Sequence, residues 1–431
     1  MNILLFNFKK KRKFITNIFK IAICVILFVS ILFLIFILKV KNLKSERLIN
    51  VNNVFVIQAL CKNNVFLTQD IESELVDNIE NQLNDIDFSK LENITENLND
   101  NEKNIFGSNS FLKLVKSFIY GENINQHENF FSYLISIIFK ETISLLPYFA
   151  IIVFISILYS LLGQFSNNKV SIKNIVYIVC FASIALIVIK VIISLLSTSK
   201  AVIDSISTQM EAIFPILLTL ITALGGTTTV GTFQPILAVL TTFITKIFTI
   251  VLIPILIFSV VFNIVGNISN NVKLDKFSKF FSSLFNWIVG IVFTIFISFL
   301  TVRGLTASSI DGISIKTAKF ALKSHIPILG SYLSEGIGLI LTSSSLIKNS
   351  VGVTGLVLLF STLITPIITL ITTILLFKLV AALIQPLCDE KISNFIYSIS
   401  KSLNLLIVSL IAIGFMYLIS ISILMMVSNI F

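Results

Sequence analysis

Apolar runs long enough to cross a bilayer recur through the last three hundred residues, and nothing else in the sequence constrains the fold as strongly. Ile143–Gly163, Ile175–Leu196, Ile236–Val265, Leu284–Val302, Val351–Phe377 and Leu403–Val427 each reach that length. A helix needs about 20 residues at 1.5 Å rise to span the hydrocarbon core. Inside lipid every backbone N–H and C=O must be bonded within the segment, so these runs are expected to be helices. Transmembrane strands would read as short alternating segments, whereas these runs are apolar all round. The expected fold class is therefore all-α: a polytopic helical membrane protein. Composition agrees, with 55% hydrophobic and only 13% charged residues where soluble domains carry roughly 25% charged. The net charge of +10 would suggest nucleic acid in a soluble protein. In a polytopic one a basic excess mostly follows the positive-inside rule.

The chain reads in three parts. Residues 1–38 combine a basic stretch (Lys9 to Lys13, and Lys20) with an apolar run from Ile21 to Leu38. That is an export signal. The run is longer than a cleaved h-region and lacks a small-residue cleavage site, which favours a signal-anchor over a signal peptide. Residues 39–130 form the long polar stretch and hold 14 of the 22 acidic residues. Ile71, Leu75, Ile79, Leu83 and Ile86, then Phe88, Leu91, Ile94 and Leu98, recur every three or four residues. This period predicts amphipathic helices on the exported side, with breaks at 99–101 and 107–110. A solvated cap and a docking surface are both compatible with it. Residues 131–431 form the polytopic domain.

Within that domain Gly225, Gly226, Gln234 and Pro235 close a half-length apolar run. They are a candidate re-entrant break, with an ordinary span and polar turn as the alternative. Sidedness follows from the loops. A re-entrant 200–233 puts Lys169, Lys173, Lys273, Lys276, Lys279, Lys378, Lys391 and Lys401 inside. It leaves the basic stretch 303–350 outside. Pro254 and Pro366, in mid-run, predict kinks. Lys190, Lys246, Asp204 and Glu211 lie in or beside apolar runs. Each is expected to snorkel, pair or line a polar path.

Catalytic motifs are missing. His127 and His325 have no metal spacing, and there is no H-E-x-x-H, Walker A or G-x-S-x-G pattern. Four cysteines without C-x-x-C spacing signal neither zinc nor redox work. The expectation is no enzyme, no cofactor and no metal. Lys316, Lys319 and Lys323 share a helical face by i, i+3, i+7 spacing, and Pro327 and Gly330 are expected to end that helix. The face suits anionic headgroups or a protein partner. A further weak amphipath is expected to end at Lys348 and Asn349.

These segments resemble a known family. Gly312 to Ala321, Ile326 to Ser334, Ser345 to Gly352, Ala381 to Asp389, Thr222 to Gly226 and Phe233 to Pro235 are similar to the stage III sporulation protein AE family of endospore-forming bacteria. The likeness covers roughly residues 140–431, and Glu335 departs from it where the pattern carries Asp. It adds Lys348, Asn349, Gln385 and Pro386 to the candidate structural or interaction residues. The resemblance implies a non-enzymatic component of the transenvelope channel complex joining mother cell and forespore during and after engulfment. It further implies a place in the mother-cell membrane facing the forespore. Implied partners are the other stage III A proteins, including an ATPase and ring-forming subunits, and the forespore stage II Q protein. The alternative function is a secondary transporter or permease with a broken-helix substrate site.

Overall fold

A computed structural model describes residues 68–121, 130–165, 170–268, 274, 276–300, 329–386, 388 and 390–427. The signal region, the two histidines and the face carrying Lys316, Lys319, Lys323 and Pro327 lie outside the described residues. The chain divides into two compact units, Met1–Val76 and Asp77–Phe431, with the boundary inside the first described helix. The following account concerns the second unit.

All described elements are helices. Four are short: α1 (Thr68–Asp85), α2 (Ser89–Glu96), α3 (Asp100–Phe106) and α4 (Phe111–Tyr120). The breaks expected between them occur, each with a local cause. Asn99 caps α3 through a reciprocal bond pair with Glu102, satisfying two otherwise orphaned donors. Gly107 ends α3 at φ 78°, left-handed backbone that glycine adopts without a Cβ penalty. Glu92 of α2 reaches across to the start of α4. Its carboxylate accepts from Ser110 Oγ at 2.9 Å, Phe111 N at 3.0 Å and Leu112 N at 2.7 Å. An acidic side chain there also opposes the helix dipole. Ile79, Leu83, Leu91, Phe106 and Phe111 are buried among these helices and their neighbours.

The membrane part holds six helical stretches long and apolar enough to cross a bilayer. They are α5 (Phe130–Phe165), α6 (Val170–Ala223), α7 (Thr227–Lys246) continued through a π segment Ile247–Leu252 into α8 (Ile253–Ile268), α9 (Lys276–Leu300), α10 (Leu329–Ile384) and α11 (Glu390–Met426). The chain is an integral membrane protein of all-α class. Each expected run falls on its own stretch, but the helices are longer than the runs. α6 has 54 residues and α10 has 56, about 80 Å each at 1.5 Å per residue. Hydropathy marks the part of a helix that suits lipid; it does not mark where the helix ends.

Specific contacts set the directions. Phe149 meets Phe377 edge-on at 4.9 Å, and Cys388 Sγ donates to Ser156 O at 3.4 Å, so α5 runs parallel to α10. Gln209 Nε2 donates to Thr362 Oγ1 at 2.8 Å, and Gly355 lies against Ile213, so α6 runs antiparallel to α10. Thr245 Oγ1 donates to Ser207 Oγ at 2.9 Å, and Tyr177 OH donates to Asn267 O at 2.6 Å, which folds α7–α8 back along α6. Ser259 bonds Ser278 and Ser282 on α9 and reaches Ser402 on α11. Ser393 Oγ donates to Ala381 O at 2.8 Å at the start of the antiparallel pair α10–α11.

The unit therefore has two distinct ends. One gathers the turn at 224–226, the end of α9, the start of α10 and the end of α11. The other gathers the α5–α6, α8–α9 and α10–α11 connections. Lys276, Lys279 and Lys391 stand at this second end. The short helices pack at the first, where α3 and α4 contact α10. Gln82 grips two of its serines there: Nε2 donates to Ser343 Oγ and Oε1 accepts from Ser344 Oγ, both at 2.8 Å.

Candidate functional site

Among the described residues, those singled out from sequence do not converge on one pocket. Gly225 and Gly226 form a tight turn in which Gly225 takes φ 83°. Gly225 N donates to Thr222 O, and Gly226 N donates to Ile221 O. The expected non-helical stretch over 225–235 is thereby corrected. It narrows to Leu224–Gly226, because Thr227 already starts α7 and both Gln234 and Pro235 lie inside that helix. Pro235 lies inside this continuing helix; membrane helices tolerate proline where neighbours or local adjustments re-satisfy the freed carbonyl. This removes one of the features behind the permease reading.

Pro254 acts differently. It follows the π segment 247–252, whose wider turn re-registers the hydrogen-bond ladder just ahead of the residue without an N–H. Pro366 sits inside α10. Its i−4 residue, Thr362, is bonded through its hydroxyl to Leu358 O and to Gln209.

The second correction concerns 329–350. Gly330 belongs to the first turn of α10. Lys348 does not end an interfacial amphipath. It sits within α10 and is 0% exposed. Its Nζ donates to Met425 O at 3.0 Å and Val427 O at 2.6 Å, the closing carbonyls of α11. The last carbonyls of a helix have no intrahelical donor, and a cation there also opposes the dipole. Asn349 is half-buried, with an Oδ1 that lacks a hydrogen-bond partner among the described residues. Gln385 and Pro386 lie exposed in the α10–α11 turn, about 80 Å of chain axis away from the start of α10.

The seam around Lys348 is closely packed. Lipid tails are as apolar as leucine, so membrane helices associate through close packing and hydrogen bonds. α10 supplies Gly352 and Gly355, and α11 supplies Gly414. A Cβ at Gly352 would meet Met425 Sδ at 2.5 Å, and one at Gly355 would meet Ile213 Cδ1 at 2.8 Å and Ile421 Cδ1 at 3.1 Å. A Cβ at Gly414 would run into Leu363. Tyr417 is fully buried beside Phe214, and its hydroxyl, like Gln209 Oε1, has no hydrogen-bond partner among the described residues. Hydropathy alone did not reveal this seam. The available signal was the small-residue spacing Gly352-x-x-Gly355 next to an intramembrane lysine.

The charges flagged inside the runs sit on the outside. Lys190, Asp204, Glu211 and Lys246 are all exposed. Lys190 Nζ lies 5.6 Å from the centre of the Tyr148 ring, within cation–π range.

The comparisons bear on this architecture. The family profile described as stage III sporulation protein AE matches residues 109–428. Stage III sporulation protein AE of Bacillus subtilis (strain 168) is 23% identical over 319 residues, covering 73% of this chain and 79% of that protein. No solved structure matches. The matched span takes in α4 to α11, the Lys348 seam and both ends of the bundle, and the chain belongs to the stage III sporulation protein AE family.

Proposed function

We propose that this protein is a non-enzymatic membrane subunit of the channel complex that joins mother cell and forespore across the engulfing envelope. In this reading the bundle lies in the mother-cell membrane facing the forespore, and residues 39–130 lie on its extracytoplasmic side. Its partners are the other stage III A proteins and the forespore stage II Q protein.

Family membership implies a role in sporulation. The observation that supports the finer reading is the chemical difference between the two ends of the bundle. One end carries the short-helix cap, in which residues 77–121 hold eight acidic and four basic residues. The other carries Lys276, Lys279 and Lys391. The positive-inside rule assigns the lysine end to the cytoplasm, which leaves the cap facing the space between the two membranes. Long helices anchored to such a cap suit a scaffold or gate more than a carrier.

The test is capture of the tagged protein in mild detergent from engulfing cells, with partners identified by mass spectrometry. Recovery together with other sporulation-specific membrane and ring-forming proteins is the expected result. Recovery without any of them would overturn the reading and make reconstituted flux, as expected of a permease, the next assay.

A further inference from the structure

The outward face of α6 beyond Ile193 is polar where its earlier turns are apolar, while the exposed side of α7 beside it carries Val239 and Phe243 as well as polar residues. Along α6 the exposed large apolar residues stop at Ile193. From there to the turn the exposed positions include Lys200, Asp204, Thr208, Glu211, Thr219 and Thr222. Their spacing of three, four or eight places them on one stripe. On α7, Thr242 and Lys246 are exposed. The ion pair found among the described residues is Lys116–Glu80, so none of Lys200, Asp204, Glu211 and Lys246 is ion-paired there. Four such charges at membrane depth or its edge are costly unless paired or wet.

A second copy in the same bilayer is related to the first by rotation about the membrane normal. Rotation leaves every group at its own depth, so a charge finds an opposite charge on the copy only if the chain carries both signs at one level. The Ser207–Thr245 bond sets that level. Lys246 follows Thr245 directly, and its Cα lies within roughly 8 Å along the axis of both Asp204 and Glu211, at 1.5 Å per residue. Ser207 Oγ also reaches toward Glu211 Oε1 at 3.5 Å, which keeps the carboxylate at that level. Gly231, Ala238 and Thr242 on the exposed side of α7 leave room for a close helix approach.

We propose that a second copy of this chain packs on this face, α6 against the copy's α7, with Asp204 and Glu211 opposite the copy's Lys246. Both signs are present on each chain at one depth, so each copy supplies what the other lacks. The pairing does not depend on which end faces the cytoplasm or on any other sporulation protein.

Two differently tagged full-length copies, co-expressed in a host without sporulation proteins and captured by one tag, test it. Samples mixed only after solubilisation give the background. Wild-type copies are expected to co-purify well above that background. D204K/E211K in both copies is expected to lower recovery at least fivefold, and D204K/E211K in one copy with K246E in the other to restore most of it. Background recovery of wild-type copies, or recovery indifferent to these charges, would overturn the proposal. If the D204K/E211K chain does not insert, the decision passes to cross-linking of a Thr208→Cys copy with a Thr242→Cys copy. A two-tag product above that of a Leu186→Cys pair supports the interface, and an equal yield overturns it.

Discussion

Lys348 has a sequence context of serines, valines and glycines that gives no hint of its task. In the fold it is fully buried and donates to two terminal carbonyls of α11. Lys348→Met keeps most of the volume and removes the donor. Each carbonyl left without a partner costs about 1–3 kcal/mol, so with two of them the variant is expected to lose about 2–6 kcal/mol in detergent unfolding. Faster hydrogen exchange over the last turn of α11 should accompany that loss. Wild-type stability in Lys348→Met would mean that those carbonyls find another donor. Glu80 makes a different statement at the same scale. Hydrogen bonds from Lys116 at 2.6 Å and Tyr120 at 2.8 Å hold its carboxyl below the usual 4.5. A depressed carboxyl adds stability above the unfolded value and loses it as pH falls through the lowered one. The pair is more than a third exposed, so screening keeps the effect below about 1 kcal/mol. Burial raises Glu102, whose contribution runs the opposite way. Glu80→Gln is therefore expected to remove only the part of the cap's acid lability that appears below about pH 4.5, read from cap hydrogen exchange against pH.

Among elements, the pair α10–α11 depends on glycines for its close approach. Gly355 lies between Ile213 and Ile421 from two different helices, so a large side chain there has to push both apart. Gly355→Leu is expected to cost about 1–3 kcal/mol, the usual range for overpacking. Gly290 on α9 is a control in which an added Cβ meets nothing within 4 Å. Gly290→Ala should stabilise by about 0.5–1 kcal/mol through lower backbone entropy in the unfolded chain. Equal melting shifts for the two variants would mean that the seam is not tight. The proline-bearing elements show why local signals were read unevenly. Pro254 coincides with a π segment, whereas Pro235 and Pro366 lie inside continuing helices. One residue type thus has different local outcomes in different helices.

The second unit carries the short-helix cap at one end and Lys276, Lys279 and Lys391 at the other. On the proposed topology Ser108→Cys in the cap and Gln385→Cys in the α10–α11 turn sit on opposite faces of the membrane. With the four native cysteines replaced by serine, an impermeant maleimide added to intact cells is expected to label Ser108→Cys and to label Gln385→Cys only after lysis. Labelling of both from outside would break the assigned topology. Of the basic stretch 303–350, Arg303, Lys316, Lys319 and Lys323 lie outside the described residues. Its described part, from Leu329 on, opens a helix whose first turns carry the docked cap. A lysine such as Lys348 is used there inside the protein instead of at a lipid surface.

Sequence alone determined the six apolar helices, the breaks at 99–101 and 107–110, and the family. Each of these rests on local chemistry: lipid forces backbone groups to bond within a segment, and a helix end needs nearby partners. Tertiary structure decided that 200–238 is a hairpin, that 329–350 continues a span, and that Lys348 caps another helix. Those outcomes depend on contacts between residues far apart in the chain, such as Gln82 with Ser343 or Lys348 with Val427. No spacing rule along one segment encodes a partner supplied by another.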